Sequence, residues 1–87
     1  MKIPSYSIEK NVPGQPLVVR DLGPWDRFPT ITNAAEELVE ELHRLGHLSP
    51  ERHLLYYDSE GQLDELVLDW NPAGDRVRFK GFAPGPR

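Results

Sequence analysis

The chain has 87 residues, no cysteine and a formal net charge of -4. That length sets a single domain with a modest core. The missing cysteines exclude disulfides and thiolate chemistry. The acidic balance disfavours non-specific attachment to phosphate backbones.

The first ten residues, MKIPSYSIEK, lack an apolar signal core, and no apolar run approaches membrane-spanning length. The expected location is the cytoplasm. Tyr6-Ser7-Ile8-Glu9 alternates and reads as an edge strand. Asn11-Val12-Pro13-Gly14 is turn chemistry, with Pro16 just beyond. Leu17-Val18-Val19-Arg20 is a stronger strand, β-branched and continuous. Residues 22–29 follow as an irregular connection whose Trp25 and Phe28 are expected to fold back onto the core.

Residues 30–46, TITNAAEELVEELHRLG, form the organising element. Ile31, Ala35, Leu38, Leu42 and Leu45 recur at steps of three and four, which places them on one helical stripe. Ala34 and Val39 widen it. Glu36, Glu37, Glu40, Glu41 and Arg44 occupy the opposite face, with Glu40 and Arg44 spaced as an i,i+4 pair. Thr30, Thr32 and Asn33 are each able to cap the start, and Asn33 with Glu36 resembles a capping box. Gly46 suits the position just past the end, and Pro50 prevents resumption.

Three strand-like runs follow, at residues 52–58, 63–70 and 76–82. Asp58-Ser59-Glu60-Gly61-Gln62 and Asn71-Pro72-Ala73-Gly74-Asp75 separate them. Residues 83–87, rich in proline and glycine, read as a loose tail. A turn centred on Glu60-Gly61 sets Leu55 against Leu66 and Leu54 against Val67. A loop at residues 71–74 sets Leu68 against Val77 and Leu66 against Phe79. The face towards the helix is then His53, Leu55, Tyr57, Leu66, Leu68, Trp70, Val77 and Phe79. The other face carries Leu54, Tyr56 and Val67 at its centre, ringed by Arg52, Glu65, Asp69, Arg76, Arg78 and Lys80. That apolar centre needs either the N-terminal strand or another molecule to cover it.

The helix and first hairpin resemble a set of small bacterial proteins. The shared residues are Thr32, Asn33, Ala34, Ala35 and Glu36, then Tyr57, Asp58, Ser59, Gly61, Asp64, Glu65 and Leu66. The resemblance spans about half the chain. It implies a reusable helix–hairpin module, with no catalytic residue and no ligand.

The chemistry-bearing residues point to no reaction. His43 and His47 are four apart, yet Gly46 breaks the helix between them. His53 and Asp58 would complete a set only if two remote element ends met, so no metal site is assigned. Asp58, Glu60, Asp64 and Glu65 crowd one hairpin, where carboxylates are ordinarily solvated. No elbow motif surrounds Ser59. The expected architecture is α+β, one helix on a mostly antiparallel sheet in the order β-β-α-β-β-β, forming a single domain over residues 1–87. The expected function is a non-catalytic protein-interaction module, with Leu54, Tyr56 and Val67 as the interface and self-association as one form. The alternative is a nucleic-acid-binding protein that uses the basic row Arg76, Arg78 and Lys80 with Tyr56. A third is an enzyme of unknown reaction built on the hairpin carboxylates. No cofactor is implied.

Overall fold

A computed structural model of the chain describes residues 4–23 and 30–85. The connection bearing Trp25 and Phe28 lies outside them. Five strands and one helix are arranged as β1 (Tyr6–Lys10), β2 (Leu17–Asp21), α1 (Ile31–Arg44), β3 (Leu54–Tyr57), β4 (Leu63–Trp70) and β5 (Val77–Pro84). This is the expected order and class. All five strands form one sheet in sequence order. Every neighbouring pair is antiparallel except β2 and β3, which are parallel. A parallel pair needs a crossover connection, and α1 supplies it. The N-terminal strands therefore widen the sheet rather than cover it.

Helix α1 forms where the apolar spacing predicts, with sharper ends. Thr30 is the N-cap, and its hydroxyl accepts the Asn33 backbone N–H at 3.1 Å. The first turn holds no acidic residue, so Asn33 and Glu36 do not start the helix. At the other end His47 N–H reaches the Leu42 carbonyl and Gly46 N–H reaches the His43 carbonyl, both at 3.0 Å. Gly46 takes φ of 81°. These paired bonds close the last turn around a left-handed residue that glycine adopts without strain. Arg44 pairs with Glu41 one turn earlier, not with Glu40. Ala34, Ala35, Leu38, Val39 and Leu42 are buried, whereas Ile31 and Leu45 at the ends of the stripe are 48% and 46% exposed.

The core lies between α1 and one sheet face. Leu17 and Val19 from β2, Leu54 and Tyr56 from β3 and Leu66 from β4 pack against the helix. Tyr6, Leu48, Leu68, Val77 and Phe79 pack around this cluster. The inward set differs from expectation on β3 alone. Leu54 and Tyr56 point in, and His53, Leu55 and Tyr57 share the other side.

The reason is the β3–β4 turn. Asp58 N–H bonds the Gln62 carbonyl at 3.0 Å, which leaves Ser59, Glu60 and Gly61 as a three-residue loop. The Asp58 carboxylate accepts the N–H groups of Glu60 and Gln62 at 2.9 and 2.8 Å. Gly61 adopts φ of 83°. Such a loop sets Leu54 opposite Leu66 and Leu55 opposite Glu65. A shift of one residue exchanges the faces of a strand.

The β4–β5 connection errs by two residues, and faces survive a shift of two. Asn71 N–H meets the Arg76 carbonyl at 3.0 Å, and the Asn71 side chain accepts from Asp75 and Arg76 N–H. Leu68 therefore faces Phe79, Trp70 faces Val77 and Asp69 faces Arg78. A bulge between Val67 and Leu68 on the ladder then brings Leu66 opposite Phe82. The stretch expected as a loose tail begins inside β5, with Ala83 opposite Glu65 and Pro84 opposite Asp64.

One charged side chain fastens the β1–β2 turn to the α1–β3 connection. The Arg52 guanidinium donates to the carbonyls of Gln15, His47 and Val12 and to the Asn11 side chain, at 2.7–3.2 Å. It belongs to this clamp rather than to the charged ring of the outer face. Replacing Arg52 by Met leaves those carbonyls to find water and is expected to cost about 1–3 kcal/mol in denaturant unfolding. Lysine, with one compact ammonium, is expected not to restore it. Leu54→Ala is expected to cost about 2–5 kcal/mol and Val67→Ala under about 1.5 kcal/mol. Equal costs at the two positions would contradict the register.

Candidate functional site: the sheet face opposite the helix

A helix is about 10–12 Å wide, whereas five strands spaced about 4.8 Å apart span roughly 19 Å. One helix covers the centre of one face only. Among the described residues no helix lies on the other face. Pleat alternation fixes its composition. Val18 stands beside Leu55, and Leu55 stands opposite Glu65, which faces Ala83. Arg20 stands beside Tyr57, which faces Leu63. Val67 faces Gly81 at the bulge. Val18, Leu55 and Val67 thus form an apolar patch across the three central strands. Leu55 is buried among its neighbours at 7% exposure, and Val18 and Val67 are half-buried.

Several charges around this patch are paired within the chain, whereas Arg76 and Lys80 at the β5 margin have no ion pair among the described residues. Arg20 pairs with Glu9 across β1 and β2, and its guanidinium lies 4.8 Å from the centre of the Tyr57 ring. His53 Nδ1 lies 2.6 Å from the Glu65 carboxylate. Arg78 bonds Asp69 at 3.2 Å. These are exposed or half-exposed pairs, each worth a few tenths of a kcal/mol. Their larger effect is to offset charge close to Val18, Leu55 and Val67.

The expected interface residues do not come together. Leu54 and Tyr56 are 0% and 3% exposed beneath the helix, and only Val67 reaches the outer face. Val18, Leu55 and Tyr57 take their places. Val18 was legible from the alternation of β2, once β2 is set beside β3. The basic row keeps its exposure, since Arg76, Arg78 and Lys80 are all on the surface. Tyr56 lies on the opposite face of the sheet, so it does not serve the row as a platform.

Other chemistry-bearing groups have structural duties. Asp58 holds its turn. His43 Nε2 sits 2.9 Å from the Asp75 carbonyl, and its ring meets Trp70 edge-on at 5.5 Å. That contact ties the end of α1 to the β4–β5 turn. Among the described residues no group of three or more histidine, aspartate or glutamate side chains is placed to hold a metal ion. No described helix is long and apolar enough to cross a membrane.

Tyr56 is the most perturbed titratable group. Its hydroxyl donates to the Asp21 carboxylate at 3.3 Å. Burial pushes the phenol far above the usual tyrosine value, and Asp21 adds to the shift by its charge and hydrogen bond. Tyr6 moves the same way, from burial first and then Glu41. A raised folded-state value means the folded chain holds its proton more tightly. The resulting stability is complete below about pH 10 and is lost as pH rises beyond it. Unfolding free energy is therefore expected to fall above pH 10, by up to about 1.4 kcal/mol per pH unit for each tyrosine. Tyr56→Phe is expected to flatten that fall in denaturant titrations at pH 9–11.

The functional reading rests on this geometry, for no protein-family model, curated protein or solved structure matches the chain.

Proposed function

We propose that the chain is a non-catalytic protein-interaction module that pairs with a second copy through the sheet face opposite the helix. The observation that carries this reading is the Val18–Leu55–Val67 patch, with paired charges beside it. A two-fold pair brings each patch against its own copy, so the surface must be self-complementary. An apolar centre meets that condition directly. The intrachain ion pairs Glu9–Arg20 and Asp69–Arg78 meet it by presenting offset charges to the partner. Burying the patch also adds to the core that a short chain can assemble alone.

Sedimentation of the full chain at rising concentration tests the reading. The expected result is a mass moving from one chain to two. The double substitution Val18→Lys and Val67→Lys is expected to hold the mass at one chain with an unchanged circular dichroism spectrum. A single-chain mass throughout the concentration range for the unsubstituted protein would remove self-association.

A further inference from the structure

Strand β5 is the last in the sheet, so one of its edges has no strand beside it among the described residues. The Asn71–Arg76 backbone bond turns Arg76 towards β4. By the alternation of an antiparallel ladder, the N–H and C=O groups of Val77 and Phe79 then point outwards. The run is short, because the bulge at Lys80–Gly81 bends the strand. The two sides of this edge differ. Towards the helix, Val39, Val77 and Phe79 line a cleft of about 320 Å³ together with Glu36, Glu40 and His43, and Arg76 and Arg78 border it from the strand. On the other side stand Arg76, Arg78 and Lys80, all exposed. Arg78 is paired with Asp69, and Arg76 and Lys80 have no ion pair among the described residues.

We propose that the β5 edge binds a short extended segment of another protein in which acidic residues alternate with apolar ones. Main-chain bonds to Val77 and Phe79 would hold such a segment as a sixth strand. Its alternate side chains then fall on opposite sides. The apolar ones lie in the cleft over Val39, Val77 and Phe79. The acidic ones meet Arg76, Arg78 and Lys80. A second copy of this chain does not fit the same edge, since antiparallel pairing of two β5 strands sets their cationic rows against each other. The same cations guard the free edge against self-pairing. This surface shares Arg78 with the outer sheet face, but its main-chain groups lie along the free β5 edge.

The test is fluorescence anisotropy with the full chain and a labelled seven-residue peptide alternating glutamate and valine. Saturable binding is expected, weakened about tenfold or more by the double substitution Arg76→Glu and Arg78→Glu, with the fold confirmed by circular dichroism. A peptide with lysine in place of glutamate is expected not to bind. Methylation of alternate peptide nitrogens on the bonding edge is expected to abolish binding. Equal binding of the lysine peptide, or of the methylated one, would overturn the proposal. So would an affinity unchanged by the double substitution, absence of any peptide binding, or retention of a single-stranded oligonucleotide in its place. Sedimentation of the same samples reads self-association separately, so the failure of one surface is distinguishable from that of the other.

Discussion

The turn from Asp58 to Gln62 decides which side of β3 is inside. One carboxylate takes two backbone N–H groups, and one glycine takes a left-handed conformation. Together they fix a loop of three residues. Had the loop held two, Leu55 and Tyr57 would face the helix, while Leu54 and Tyr56 would face solvent. The stretch Leu54–Tyr57 is apolar or aromatic at every position, so hydrophobic pattern alone does not choose between the two arrangements. The choice rests on turn geometry. Everything beyond β3 inherits it: the packing of Tyr56 under the helix, the Tyr56–Asp21 bond and the row of Val18, Leu55 and Val67 on the far side.

This explains what the sequence made legible. The helix was readable because period 3.6 over fourteen residues is redundant, so misplaced ends cost nothing. The five strands and their order were readable for a similar reason, since Gly14, Gly61 and Gly74 mark turns that only a few conformations fill. Face assignment was not redundant. An error of two residues at Asn71–Arg76 left every side chain on its correct face, whereas an error of one at Asp58–Gln62 reversed a strand. The interface prediction failed at that point and nowhere else. Loop anchors such as Arg52 were illegible for another reason. Its four partners lie up to 41 positions away, and no local pattern announces them.

The mismatch between one helix and five strands governs the surfaces. The helix seals the middle of its face, so Leu17, Val19, Leu54 and Leu66 reach almost complete burial. The outer strands are only partly sheltered, and Phe82 of β5 stays 38% exposed although it contacts Phe79 and Tyr56. Among the described residues, one helix on a five-stranded sheet therefore leaves two apolar regions with no helix over them. One lies across the uncovered face and one lies along the margin beyond the helix. Their charge settings differ: ion pairs lie beside the patch on the face, and Arg76 and Lys80 at the margin have no ion pair among the described residues.

The parallel join between β2 and β3 has a kinetic meaning. Each hairpin closes over a few residues, for example six between Tyr57 and Leu63. The central join closes over 54 − 17 = 37 residues, from Leu17 to Leu54. By chain statistics that longer closure costs about 1.5 kcal/mol more entropy. The connecting segment is α1 itself, and a helix of this length is marginal in isolation. Helix and join therefore support one another: the formed helix stiffens and shortens the span to be closed, and the closed join supplies the apolar surface that keeps the helix formed. A hairpin and a three-stranded meander are thereby bound into a single cooperative unit.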